Sequence, residues 1–191
     1  MKTQQIKTSS FFFFSLFISF NVFSQTFTLK SNDLGGQATD SFFANTFGCL
    51  GKNISPELHW ENAPLGTKSF AVTVYDPDAP TGSGFWHWVL FNIPPDVTSL
   101  KADAGNNSLE NIPFRSEAAL NDAGTYGFMG ACPPEGHGKH MYIITVYAVD
   151  SRLEFDKISS AAFVGFNLHF KTLAKASLVV YGERKETRSL K

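Results

Sequence analysis

The sequence predicts a mostly β domain with one or two short peripheral helices. Residues 69–75, 89–93 and 141–149 are rich in β-branched and aromatic side chains, which favour strands. Clusters of Pro, Gly, Asn and Asp separate these runs and are typical of turns. The best helix candidate, at residues 159–171, is short. We therefore expect strands joined by turns, with little helix.

Residues 1–24 predict a secretion signal. Lys2 and Lys7 form its positively charged start, and residues 11–23 form a phenylalanine-rich apolar run. The run is shorter than the roughly 20 apolar residues that span a membrane. We therefore expect cleavage before Gln25, a periplasmic or secreted protein, and at most peripheral contact with a membrane.

The charge of the remaining single domain, residues 25–191, bears on its partners. The whole chain has a formal net charge of −1, and the signal removes two lysines and no acid, so the domain has a charge of −3. Sequence-independent nucleic-acid binding requires a basic surface, which this composition argues against. A small anion held in a local pocket remains compatible with it.

The elements follow from local patterns in chain order. Short strands are expected at residues 27–30 and 57–60, and residues 94–128 form a long loop, a length that usually indicates function. The helix at residues 159–171 begins at a serine cap. Residues 173–181 are compatible with either helix or strand by their own pattern.

The two cysteines, Cys49 and Cys132, lie in separate predicted loops. An isolated pair in an exported protein usually forms a disulfide, whereas the same pair in the cytosol is more often reduced. Two cysteines alone do not make a zinc site. We expect a structural disulfide that ties the loop at residues 47–52 to the loop before His140.

The loop between the two central strands contains the first candidate site residues. Asp76 and Asp78 are two residues apart in the segment DPDAP, and His87 lies between Trp86 and Trp88 at the start of the next strand. Groups at strand ends are well placed to converge on one site. A proline- and glycine-rich loop before the strand at residues 141–149 adds the other candidates: Pro133, Pro134, Gly136, His140 and Tyr142.

These motifs together resemble the phosphatidylethanolamine-binding protein family, in particular its bacterial Raf-kinase-inhibitor-like branch. The sequence contains DPDAP, WHW, PPEGHGKH and the adjacent Tyr142, in that order, over most of the exported domain. The resemblance implies a β-sandwich with a small-anion pocket for phosphate or phospholipid head groups. Its site residues would match Asp76, His87, His140 and Tyr142.

The resemblance also implies details that the residues alone leave open. It favours a strand at residues 173–181 and a cis peptide bond between Ala79 and Pro80. The sequence departs from the family pattern at Met141, where many relatives have arginine, and at Phe85, where bacterial relatives often have tryptophan. His137 has no counterpart to which a role is assigned.

The chemistry of an anion pocket assigns a role to each group. Imidazole N–H groups of His87 and His140 and the Tyr142 hydroxyl would donate hydrogen bonds to a phosphate. Asp76 would keep a histidine protonated, or meet the ammonium group of ethanolamine; otherwise it would merely repel the anion. Asp78 would bind ligand or brace its loop through backbone amides.

We predict a non-catalytic binding protein without cofactor or metal, which could also modulate an unidentified protein partner. One alternative is an extracytoplasmic inhibitor of a protease or other enzyme. Another is a metal-dependent hydrolase with ligands from Asp76, His87, His137 and His140. The sequence lacks the G-x-S-x-G motif of serine hydrolases.

Overall fold

The computed structural model describes residues 25–155 and 159–186. The predicted signal at residues 1–24 lies outside the described residues. The described part has two antiparallel sheets and a single helix, so the predicted mostly β class is confirmed. In chain order the elements are β1 (Thr28–Lys30), β2 (Leu58–Glu61), β3 (Ser69–Asp76), β4 (Phe85–Ile93), β5 (Ser99–Leu100), β6 (Glu117–Ala118), β7 (Lys139–Val149), α1 (Ala161–Lys171) and β8 (Thr172–Glu183).

The two sheets differ in size and in what covers them. The larger sheet has the strand order β6-β4-β3-β7-β8, and the smaller has the order β1-β2-β5. The smaller sheet packs on one face of the larger one through Leu29, Leu58 and Trp60, and α1 covers the opposite face. No helix among the described residues is long and apolar enough to cross a membrane.

Strand β3 forms the centre of the larger sheet because nearly all of its side chains are apolar and buried. Phe70, Val72 and Val74 point to the core shared with the smaller sheet. Ala71 points to the second core, where Val164 and Leu168 of α1 pack. A strand buried on both faces has a continuous apolar run rather than strict alternation, which explains its sequence.

The helix and the last strand lie close to their predicted positions. Ser160 caps α1, its Oγ accepting a hydrogen bond of 3.3 Å from Phe163 N. Strand β8 then pairs with β7 along its whole length, from Val149↔Thr172 to Lys139↔Glu183. The strand implied by the resemblance at residues 173–181 is therefore confirmed, and residues 94–128 contain only β5 and β6.

The prediction of a cis bond between Ala79 and Pro80 was wrong. All peptide bonds are trans within the described ranges 25–155 and 159–186. Thr81 N donates a hydrogen bond of 2.8 Å to Ala79 O, which tightens the turn. Gly82 and Gly84 then reverse the chain with φ values of 81° and 70°, which glycine adopts without steric cost.

The predicted disulfide between Cys49 and Cys132 is present. It joins residues 83 positions apart, and closure of such a loop stabilises a fold by about 4 kcal/mol in the chain-entropy model. Backbone bonds beside it hold the same two loops together, because Ala44 N donates to Ala131 O and Ala131 N donates to Phe42 O. The disulfide therefore fixes the position of the proline-rich loop that follows.

Candidate functional site

A cavity of about 130 Å³ lies at one end of the larger sheet. The end of β3, the start of β4 and the start of β7 meet there, because Asp76 pairs with Phe85 and Tyr75 pairs with Ile143. Six of the predicted site residues line the cavity: Asp76, His87, Pro133, Pro134, His140 and Tyr142. The remaining lining residues are Ala79, Pro80, Thr81, Phe85, Met129 and Cys132.

Asp76 is held from both sides by hydrogen bonds. Asp76 is 2% exposed, and its Oδ1 accepts a hydrogen bond of 2.8 Å from Asp78 N. Its Oδ2 lies 2.7 Å from Nδ1 of His140, which donates to it. A loop aspartate that accepts an amide two residues on forms an Asx turn. Asp76 therefore both shapes the turn after β3 and orients His140.

His137, for which the family resemblance implies no role, continues this chain of hydrogen bonds to the surface. Its Nδ1 lies 2.8 Å from His140 Nε2, and its side chain is exposed. Gly136 and Gly138 flank it with φ values of 73° and 91°. The result is a line of three groups from the buried carboxylate of Asp76, through His140, to an imidazole at the surface.

His87 is buried and is held by a backbone carbonyl. Its Nδ1 donates a hydrogen bond of 2.8 Å to Met129 O. Burial lowers the pKa of His87 below its ordinary value of 6.5, against the opposing effects of the hydrogen bond to Met129 and the charge of Asp76. The ring is therefore neutral near pH 7, with its proton on Nδ1 and a lone pair on Nε2. This differs from the expected imidazole donor.

The hydroxyl of Tyr142 is buried and makes no hydrogen bond of good geometry within the described residues, although the Asp76 carboxylate and the Cys132 backbone lie near enough to affect its pKa. Burial, followed by the charge of Asp76, raises the pKa of Tyr142 above its usual range, so the group keeps its proton. The ring packs against His87 at a centroid distance of 5.1 Å. Buried polar groups in native proteins almost always have a partner, so this hydroxyl is available to a water or ligand that enters the cavity.

Two predicted site residues lie outside the cavity lining. Asp78 Oδ2 accepts a hydrogen bond of 2.7 Å from Met141 N, so this carboxylate braces the start of β7. That contact corresponds to the bracing role considered for Asp78. Gly136 N donates to Arg184 O at 2.9 Å and fastens the proline-rich loop to the residue after β8.

Sequence reasoning missed two residues that position His87. Asn121 is buried, and its Nδ2 donates to His87 O at 3.3 Å and to Gly127 O at 2.9 Å. Met129 N also donates to His87 O at 2.9 Å, so each residue contacts the other's backbone. The sequence Asn121-Asp122-Ala123-Gly124 was a turn signal, but it did not indicate a contact with a distant strand.

No group of three or more His, Cys, Asp or Glu residues that could hold a metal ion occurs in the described part of the chain. The histidines of the cavity use their nitrogens for protein contacts instead. His87 Nδ1 bonds to Met129, His140 Nδ1 bonds to Asp76, and His140 Nε2 bonds to His137.

Comparison with known proteins finds relatives that cover nearly the whole chain. A family model described as phosphatidylethanolamine-binding protein matches residues 33–183. The UPF0098 protein YbcL of Escherichia coli K12 is 45% identical over 172 residues, covering 88% of this chain and 94% of that protein. The UPF0098 protein YbhB of the same organism is 48% identical over 153 residues, covering 78% of this chain and 96% of that protein.

Solved structures agree with this match. The crystal structure of E. coli YbcL, described as a new member of the mammalian PEBP family, superposes with a TM-score of 0.79 at 46% identity. It covers 82% of this chain and 98% of that chain. A homologue from Chlamydia trachomatis, CT736, gives a TM-score of 0.68 at 27% identity and covers 83% of this chain and 97% of that chain.

Proposed function

This chain belongs to the phosphatidylethanolamine-binding protein family, and we propose that it binds phosphate or a phosphate-containing head group in the cavity at the end of the larger sheet. His87, His140 and Tyr142 would contact the ligand beside Asp76. The protein acts by binding rather than by turnover. It acts outside the cytoplasm, as a periplasmic or secreted protein.

The unpaired hydroxyl of Tyr142 is the observation that carries this proposal. It is a buried donor in the wall of a cavity whose walls also contain two histidines. Leaving such a donor unsatisfied costs about 1–3 kcal/mol, and an anionic oxygen is the strongest acceptor that it can meet. The cavity is therefore suited to an oxyanion.

The size of the cavity supports a small group rather than a whole lipid. Its volume of about 130 Å³ is below the roughly 300–1,000 Å³ of pockets that hold drug-sized ligands. A phosphoryl group fits such a space, whereas acyl chains do not. A phospholipid would therefore insert only its head group and leave the remainder outside.

The lining residues that resemble nucleophiles are already engaged. Cys132 is part of the disulfide, and the hydroxyl of Thr81 donates to Gly84 O. The hydroxyl of Tyr142 is held protonated by its raised pKa. An activated nucleophile needs a free side chain beside a base, which none of these three offers. This supports binding without covalent chemistry.

The disulfide supports export. Disulfides persist in oxidising compartments such as the periplasm and the extracellular space, and they are rare in the cytosol. Intact mass of the exported protein tests the cleavage site, since a mass that retains Met1 to Ser24 contradicts it.

Titration calorimetry with O-phosphoethanolamine tests the binding site. We expect Tyr142→Phe to weaken binding about tenfold to a hundredfold, because a hydrogen bond to a charged group contributes roughly 1.5–3 kcal/mol. His140→Ala should weaken it as well, because His140 forms part of the cavity wall and a ligand can replace the exposed His137 at its Nε2. His169→Ala, at an exposed position of α1, is the matched control. Tyr142→Phe removes only an unpaired hydroxyl, so the fold remains intact. Unchanged affinity in both site variants would place the ligand elsewhere.

A further inference from the structure

Resting on the function proposed above, we infer that the cavity selects a singly charged oxyanion that carries its own hydroxyl, such as the monoanion of a phosphomonoester. Doubly charged oxyanions and oxyanions without a hydroxyl bind more weakly. His87 Nε2 accepts a hydrogen bond from the hydroxyl of the ligand, and the Tyr142 hydroxyl donates one to an anionic oxygen.

The charge of the cavity wall is the first reason. None of the twelve lining residues is Lys or Arg, and Asp76 is the only carboxylate among them. With His140 as its hydrogen-bond partner, this pair has a charge of zero at most. The guanidinium of Arg184 contacts Cys132 Sγ at 3.7 Å from the side of a neighbouring cavity. The wall therefore has no fixed positive charge to balance an anion, and because the cost of desolvating an ion rises with the square of its charge, a dianion is disfavoured more strongly than a monoanion.

The hydrogen bond between His87 and Met129 is the second reason. A carbonyl oxygen only accepts, so the proton of the neutral ring is on Nδ1 and Nε2 has a lone pair. His87 lines the cavity and its Nδ1 is taken by Met129 O, so Nε2 is the ring nitrogen left to face a ligand. A ligand that places a hydroxyl there donates to Nε2. A ligand with only oxygen lone pairs meets repulsion instead.

The hydroxyl of Tyr142 completes the pattern, because it is a donor without a partner. The walls thus offer one donor, at Tyr142, and one acceptor, at His87, to a group the size of a phosphate. A phosphomonoester monoanion has the complementary pair, an anionic oxygen and a P–OH. Its dianion and a sulfate have acceptors alone.

Charged groups around His87 do not change this assignment. Asp76 on β3 and Asp122 after β6 both favour a charged ring, while burial opposes it more strongly. His140 and Tyr142 on β7 face the same cavity. Protonation of a histidine at low pH would strengthen the binding of every anion alike, so probes that differ only in the hydroxyl separate the two effects.

Methyl phosphate and methyl sulfate are the matched probes. They share shape and, at pH 5.5, a single charge, but only methyl phosphate has a hydroxyl. By calorimetry we expect methyl phosphate to bind at least about tenfold more tightly at pH 5.5. Its affinity should fall roughly fifty- to a hundredfold by pH 8, because a phosphomonoester loses its second proton near pH 6. Methyl sulfate should change little. Equal affinities at pH 5.5, or an equal gain on acidification, would overturn the inference.

Glycerophosphoethanolamine distinguishes the lipid head group from free monoesters. It is a phosphodiester without P–OH, so we expect it to bind more weakly than methyl phosphate at pH 5.5 and with little dependence on pH. A diester that binds more tightly than methyl phosphate would refute selection for the hydroxyl, while the proposed function would stand. Failure of all these probes and of phosphoethanolamine to bind would reject both.

The variant His87→Gln tests whether His87 is the acceptor for the ligand's hydroxyl. Its amide can rotate to donate as well as accept. We expect the preference for methyl phosphate over methyl sulfate at pH 5.5 to fall to less than about threefold, with His169→Gln as the control. If folded His87→Gln keeps the wild-type preference for methyl phosphate over methyl sulfate, His87 is not the acceptor for the ligand's hydroxyl. If the variant does not fold, the affinities of the wild-type protein for the three probes still test the inference.

Discussion

The two walls of the cavity each hold a buried histidine, but by opposite means. In the β4 wall (Phe85, His87 and Met129), His87 donates to a neutral carbonyl, and burial lowers its pKa. In the β7 wall (Asp76, His140 and Tyr142), His140 donates to a carboxylate and contacts the exposed His137. The same side chain is thus an isolated neutral ring in one wall and part of a polar chain in the other. The partner of Nδ1, rather than the residue type, decides what each imidazole can do.

The largest effect should come from breaking the β7 wall at Asp76. Asp76→Ala leaves the buried Nδ1 of His140 and the amide of Asp78 without their acceptors. We expect the free energy of unfolding to fall by about 2–4 kcal/mol in urea titrations. Glu57→Ala, which removes the acceptors of His59 Nδ1 and of Asn32 N in a partly exposed region, should cost less, about 1 kcal/mol. Similar losses of unfolding free energy in the two variants would contradict the expected difference between a buried and a partly exposed carboxylate–histidine pair.

Acid should act on the β4 wall through His87. Its pKa is lower in the folded protein than the ordinary value of 6.5, so the unfolded chain binds the proton more readily. Stability from this group is therefore present above pH 6.5 and is lost as the pH falls below it, by at most about 1.4 kcal/mol per pH unit. Urea unfolding of wild type and His87→Gln at several pH values from 7.5 to 5 measures this contribution. A pH slope that His87→Gln leaves unchanged would assign the acid sensitivity to another group.

The smallest effect on stability should come from the outer end of the β7 wall. His137 is exposed, so His137→Ala should change the free energy of unfolding by no more than about 0.5 kcal/mol. It removes the partner of His140 Nε2 and frees that nitrogen for a ligand or water. We expect the affinity for methyl phosphate to change while stability does not. A loss of stability as large as that of Asp76→Ala would make His137 a structural member of the wall.

Much of the fold was predictable because its signals are local. The apolar runs of β3, β4 and β7, the serine cap of α1 and the turn residues between elements all act over a few positions. The motifs around Asp76, His87, His140 and Tyr142 placed these residues at strand ends, and pairing of β3 with β4 and β7 brings strand ends together. The cysteine pair, together with the expectation of export, was sufficient to predict the disulfide.

What the sequence by itself determined, then, was which residues lie at the end of the larger sheet, and only the tertiary structure decided how they are bonded. The proton position on His87 depends on a carbonyl 42 residues away, and the partner of His140 lies 64 residues away. Asp78 became a brace because Met141 N lies within reach of its carboxylate. Hydrogen-bond partners are selected by distance in space after packing, and no local pattern of side chains encodes that distance.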